Sequence, residues 1–200
     1  MRRWIKLTCA TVVVVALVVL AGSAARQALS PSSAGRIFVG GRDLHQLVRR
    51  SEVVAIGTVL SAEGTRVISR DPSDLTREDP NYVAIAQDYA FAVEAAIKGE
   101  VSGTITVTIG TSSRVKNAPF WSEVQHQRVL PRVGSRYALF LRTLPWDASV
   151  YVLSFEPSQF ELASTAIVRS MWRDASTYFP DRPVPELLRA LRDAAAADVP

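Results

Sequence analysis

Residues 89 to 110 read YAFAVEAAIKGEVSGTITVTIG and hold two short alternating runs separated by glycines. In the first, Tyr89, Phe91 and Val93 face one way, and Asp88, Ala90, Ala92 and Glu94 face the other. A period of two with apolar residues on one side predicts a half-buried strand reaching Ile97. Lys98-Gly99-Glu100 ends it. The second run, Thr104 to Gly110, places Ile105, Val107 and Ile109 inward and Thr104, Thr106 and Thr108 outward. Val101-Ser102-Gly103 between them suits a hairpin connection.

The neighbouring segments repeat this signal. Ser51 to Leu60, SEVVAIGTVL, is β-branched and apolar and predicts a strand. Arg136 to Leu144 (RYALFLRTL) and Ser149 to Phe155 (SVYVLSF) predict a second hairpin around Pro145-Trp146-Asp147-Ala148. Gln159 to Ala163 predicts a short edge strand. Arg70 to Pro80 is polar and proline-containing, and reads as a long loop or insertion between two strand regions. Residues 111 to 130 carry aromatics without a sustained period. Short strands with turn signals between them predict a mainly β domain, a barrel or a sandwich.

Helices are expected at the two ends. Asp43 to Arg50 sets Leu44, Leu47 and Val48 on one side, with His45 on the exposed side. Residues 181–200 contain the clearer helix. Pro185 and Glu186 suit its first turn, and Leu187, Leu188, Ala190, Leu191, Ala194 and Ala195 form an apolar stripe that predicts packing on the strands.

Before the domain, residues 1–25 run from basic (Arg2, Arg3, Lys6) through apolar (Leu7 to Leu20) to small (Gly22-Ser23-Ala24-Ala25). That order predicts a signal peptide or membrane anchor and an extracytoplasmic domain, secreted or held at the plasma membrane. Ser23 and Ala25 suit cleavage before Arg26, whereas the 19 residues from Leu7 to Ala25 suffice to cross roughly 30 Å of hydrocarbon as a transmembrane helix. Cleavage and retention both stay open. Cys9 precedes the apolar run, the wrong order for a lipoprotein, so lipidation is not expected. Residues 26–41, rich in Ser, Ala and Gly, predict a flexible tether. The domain then spans 42–180, followed by the helix at 181–200.

The chain carries 23 Lys and Arg against 19 Asp and Glu. Setting aside Arg2, Arg3 and Lys6 leaves 20 against 19, so the domain is close to neutral and lacks the basic excess a nucleic-acid binder requires. The only cysteine is Cys9, which excludes disulfides, thiolate chemistry and Cys-zinc sites from the domain. About 160 residues suffice for one unstapled domain.

Four segments in order now carry a resemblance: SEVVAIGTVLSAE (51–63), YAFAVEAAIKGEVSGTITVTIG (89–110), PRVGSRYALFL (131–141) and VYVLSFEPSQFEL (150–162). Together, over about 120 residues, they resemble the tissue-inhibitor-of-metalloproteinase and netrin-like OB-fold domains, in their disulfide-free bacterial exported form. The matching motifs are Val53 to Val59, Ile97-Lys98-Gly99, Ile105 to Ile109, and Gly134-Ser135-Arg136-Tyr137 with the apolar residues after it. The resemblance implies a five- to six-stranded antiparallel OB-like barrel with a C-terminal helix, used for binding rather than catalysis. The animal inhibitors chelate the protease zinc through an N-terminal cysteine, which this domain lacks, so that mechanism does not transfer.

Direct chemical signatures are sparse. His45 and His126 are the only histidines and do not form a His-x-x-x-His pair, so neither metal nor cofactor is expected. There is no Gly-x-Ser-x-Gly elbow and no Walker loop. Asp71, Asp74, Glu78 and Asp79 lack the spacing of a calcium loop. The candidate ligand or partner residues are Trp121, His126, Arg128 and Trp146, all in loops, where Trp and Arg serve well as interaction anchors. The alternative for both tryptophans is to fold back and cap the barrel. The expected function is a binding module for a protein or cell-envelope component. The competing expectation is an envelope hydrolase using an Asp or Glu with His126.

Overall fold

The computed structural model describes residues 43–116, 123–125, 129–154, 156–170 and 175–198. Residues 1–25, the tether at 26–41, and Trp121, His126 and Arg128 lie outside the described residues. Among the described residues, no helix is long and apolar enough to cross a membrane. In chain order the elements are α1 (Leu44–Arg50), β1 (Val53–Val67), β2 (Arg70–Asp71), β3 (Asp74–Glu78), β4 (Tyr82–Lys98), β5 (Gly103–Val115) and β6 (Glu123–Gln125). Then follow β7 (Arg136–Leu144), β8 (Asp147–Leu153), β9 (Gln159–Leu162), β10 (Thr165–Arg169), α2 (Ala175–Tyr178), β11 (Arg182–Pro183) and α3 (Val184–Ala196). The domain is mainly β with a C-terminal helix.

Nine of the described strands form one sheet in the order β1-β4-β5-β8-β7-β9-β10-β11, with β6 beside β5. β1 also pairs with β7, Val53 to Thr58 against Leu141 to Arg136, which brings the first five strands of that order into a ring. Closure is uneven. β1 and β4 pair along most of their length, but β5 meets β8 only at Thr106 to Thr108. The β5–β8 pair is parallel, so the expectation of a wholly antiparallel sheet is corrected at that seam. Parallel neighbours need a long connection, and residues 116 to 146, including β7, supply it.

The ring has an inside and an outside, and β1 and β7 are buried on both. Val53, Ala55, Val59, Tyr89, Phe91, Val107, Ile109, Tyr137, Leu139 and Leu141 belong to one core, with Ile105 and Val93 packed against it. The opposite faces of the same two strands, Val54, Ile56, Ala138 and Phe140, belong to a second core beneath α1 and α3. Leu44, Leu47 and Val48 from α1 and Val184, Leu187, Leu191 and Ala194 from α3 complete it. This explains why Val53 to Ile56 and Tyr137 to Leu141 are apolar runs rather than alternations.

The motifs that suggested a family resemblance have local physical roles. Lys98 Nζ donates to the carbonyls of Val48 (2.9 Å) and Arg49 (3.3 Å) and pairs with Asp198 at 2.6 Å. A cation at the C-terminal end of α1 complements its exposed carbonyls and fastens the helix to the strand. Gly99 has φ +75°, and a Cβ there would lie 2.6 Å from the Glu52 carbonyl oxygen, so the position after Lys98 requires glycine. Tyr137 is fully buried, and its hydroxyl accepts the Arg132 backbone N–H at 3.0 Å. The Gly134 N–H meanwhile donates to the Val59 carbonyl at 2.8 Å. Tyr137→Phe deletes the first of these bonds without changing the packing. A loss of about 1 kcal/mol is expected, read as a melting temperature lower by about 2–4 °C.

Several expectations change. Residues 70–80, read as a long loop or insertion, are an insertion with structure of its own: β2 and β3 form a separate two-stranded sheet. β1, β4 and β5 extend well beyond their predicted ends, pairing as far as Val67, Tyr82 and Val115. Gln159–Leu162 is not an edge, because β9 lies between β7 and β10. Thr108 points away from the ring interior as expected, yet it is buried, because the outer face there carries its own apolar cluster.

Candidate functional site

That cluster is the base of the site. Leu144 at the end of β7 and Val150 and Val152 on β8 are buried on the outer face, and Trp146, in the turn between the two strands, packs against them. Pro145-Trp146 has no room for a longer excursion, since β8 starts at Asp147. The indole is therefore held at the surface, half-buried, on an aliphatic floor. From the other side comes the β2–β3 hairpin, inserted between β1 and β4. The Arg70 guanidinium carbon stands 5.6 Å from the centroid of the Trp146 ring, within cation–π range. The two connections thus touch over the outer face of β4, β5 and β8.

An ion-pair network borders the indole. The Arg66 Nε donates to both carboxylate oxygens of Asp88, at 2.9 and 2.7 Å, and its Nη2 lies 2.7 Å from Oδ2. Its Nη1 reaches Asp147 Oδ2 at 3.3 Å. The Asp88 side chain is only 10% exposed, and burial of this kind needs such a bidentate partner. The Ser149 hydroxyl, at 2.5 Å, and the Ser149 backbone N–H, at 3.1 Å, both donate to Asp147 Oδ1. The hydroxyl bond first, with the Arg66 charge beside it, holds the Asp147 carboxyl below the ordinary aspartate value. Thr108, register partner of both Asp88 and Val152, is buried with no partner for its hydroxyl among the described residues.

A second polar cluster lies where β9 pairs with β7. Glu161 is buried beside Tyr137, its register partner, and its carboxylate is gripped by Arg169 Nε at 2.8 Å and Nη2 at 2.5 Å, and by Arg132. Gln159, also buried, donates to the Val129 carbonyl, which fixes the chain three residues after His126. Burial alone pushes the Glu161 carboxyl up, but the Arg132 and Arg169 bonds and charges outweigh it and hold the group below the ordinary glutamate value of 4.5. A depressed folded value means stability that is present above pH 4.5 and is lost as the pH falls through the folded value. In Glu161→Gln, denaturant melts against pH are therefore expected to lose the wild-type advantage at neutral pH. The gap between the two proteins should close in acid.

Of the residues singled out from sequence, Trp146 is at the first cluster; the other three lie outside the described residues. Any pairing of a carboxylate with His126 lies outside them too. His45 is exposed and lines a shallow cleft of about 310 Å³ with Asp43, Arg49 and Asp198. The acidic residues of the hairpin region serve its turns. Asp71, Asp74 and Asp79 each accept a backbone N–H from two residues on, from Ser73, Thr76 and Asn81. Among the described residues, no group of three His, Cys, Asp or Glu side chains is placed to hold a metal. Sequence reasoning passed over Arg66, Arg70 and Asp88. Asp88 was visible as the charged residue on the outward face of an alternating strand. Its partner was hidden in a part of β1 not read as strand.

Compared with protein-family models, with curated proteins and with solved structures, the chain matches none.

Proposed function

We propose that this chain is an extracytoplasmic binding module, not an enzyme. It would be built on an OB-like barrel of the tissue-inhibitor and netrin type and be secreted or tethered by residues 1–25, and it recognises a protein or cell-envelope component. The ring order β1-β4-β5-β8-β7-β1 with a parallel β5–β8 seam supports the OB-like reading. In that reading β1, β4, β5, β7 and β8 are the five barrel strands in sequence. OB barrels take ligands on the face of their second and third strands, between the loop joining strands one and two and the loop joining strands four and five. Here those loops are the β2–β3 hairpin and the Trp146 turn.

One observation carries the proposal. The two loops meet, Arg70 against Trp146, over the outer face of β4 and β5. The test is capture of an envelope component by the tagged full chain, compared with Trp146→Ala shown by its melting curve to be folded. Retention by wild type and loss with the variant is the expected result. Equal retention by both, or by neither, overturns the proposal.

A further inference from the structure

We propose that Trp146 and the acidic β2–β3 hairpin form a site for a cationic side chain of a partner protein, an arginine or a lysine, which Arg70 occupies in the unbound chain. The inference rests on the binding-module reading and names the chemistry the module would recognise. Two arginines stand at this face and are held in different ways. Arg66 is locked to Asp88 by contacts of 2.7–2.9 Å. Arg70 has looser partners: the Ser69 carbonyl at 3.4 Å and Glu78 at 4.0 Å, where the Glu78 side chain is 59% exposed. Its guanidinium also stands over the indole, 5.6 Å from the ring centroid.

The indole, by contrast, is fixed on Leu144, Val150 and Val152, so the receptor half of the contact stays when the arginine leaves. The Arg70 side chain is 22% exposed, and among the described strands β2 and β3 pair only with each other, so its departure breaks no strand pairing of the main sheet. The hairpin segment after Arg70 carries Asp71, Asp74, Glu78 and Asp79 against Arg77, with Lys116 Nζ on the Asp79 carbonyl, and Asp147 beside the ring is already paired with Arg66. In the place of Arg70 an incoming cation meets the ring face and the Glu78 carboxylate, within a hairpin whose other carboxylates add to the negative potential. An anionic ligand would meet the same carboxylates as repulsion. A neutral sugar would have to displace Arg70 with no charge to replace it. An occupant carried on the same chain competes at an effective concentration on the order of mM. Removing Arg70 should therefore expose the affinity that it masks.

The experiment uses the full chain in mild detergent, labelled with 5-fluorotryptophan, with the Trp146 resonance assigned by Trp146→Phe. The probe is acetyl-tetraarginine amide, with acetyl-tetraglutamate amide and chitotetraose alongside. The expected result is a Trp146 shift with the arginine peptide alone. Its midpoint should fall about two- to fivefold in Arg70→Gln, the scale of an exposed cation–π contact, and stay put in Arg70→Lys. The proposal is overturned by no Trp146 shift with the arginine peptide in either wild type or Arg70→Gln, by equal midpoints in the two, or by a shift with tetraglutamate or chitotetraose instead. If the arginine peptide fails while envelope capture remains Trp146-dependent, the cationic-site inference falls and the binding-module reading stands.

Discussion

Gly57→Ala is expected to lower the stability of the domain by about 3 kcal/mol or more, the upper range for overpacking a filled core. A Cβ at this position would lie 2.0 Å from the Ala92 carbonyl oxygen and 2.9 Å from Phe91 Cε1. The first contact is with backbone, so no side-chain rotation relieves it. Gly57 sits where β1 is flanked on both sides, opposite Val93 of β4 and Tyr137 of β7, next to a register shift after Ile56. Moving either neighbour opens the ring at its closing seam. For a domain of this size, the loss corresponds to a melting temperature lower by roughly 6–12 °C. Loss of amide protection should begin at Val53 to Thr58. A melting temperature within 2 °C of wild type, by roughly the same scaling, would show that β1 is not clamped in this way.

Phe140→Ala is expected to cost about 3–5 kcal/mol, as truncation of a fully buried ring does. Phe140 is 1% exposed, and its ring lies 5.7 Å from Phe160, which stacks edge-on against Phe179 at 5.7 Å. Those rings fill the space between the sheet and the helices, in the core shared with Leu47, Leu187 and Leu191. The Phe140 backbone is bonded on both sides, its N–H to the Ser158 carbonyl and its carbonyl to the Ser154 N–H, each at 2.9 Å. The strand should therefore stay in place while the helices loosen. Calorimetry measures the loss, and hydrogen exchange should show α1 and α3 opening before β4 and β5. Uniform opening of all elements would contradict two separate cores.

Much of this architecture was legible because the signal was local. The alternations in β4 and β5 assign Tyr89, Phe91, Val107 and Ile109 to the interior, and the structure buries all four. The stripe on α3 was equally plain, since Leu187, Leu191 and Ala194 recur at helical spacing and are buried. The apolar run at Tyr137 to Leu141 read as a strand. That its two faces serve two cores depends on α1 and α3, more than 40 residues away in either direction. The insertion at 70–80 was legible but its β2–β3 pairing was not, because its residues are half-exposed or exposed on an isolated two-stranded sheet, where burial imposes no pattern. Thr108 looked like an outward polar residue. Only the parallel β5–β8 pairing, a contact between distant segments, brings Val152 beside it. Trp146 was legible as a turn aromatic, but the site around it was not. Arg70 reaches it from a hairpin 76 positions earlier in the chain.

The most direct test of the proposed binding face is photocrosslinking in cells of the source organism. One photoreactive residue replaces Ala148, exposed beside Trp146, and another replaces Arg189, exposed on α3. A discrete adduct from position 148 and none from position 189 is the predicted result. No adduct from position 148, or one from position 189 instead, would contradict the assignment of function to the face where the hairpin meets the Trp146 turn.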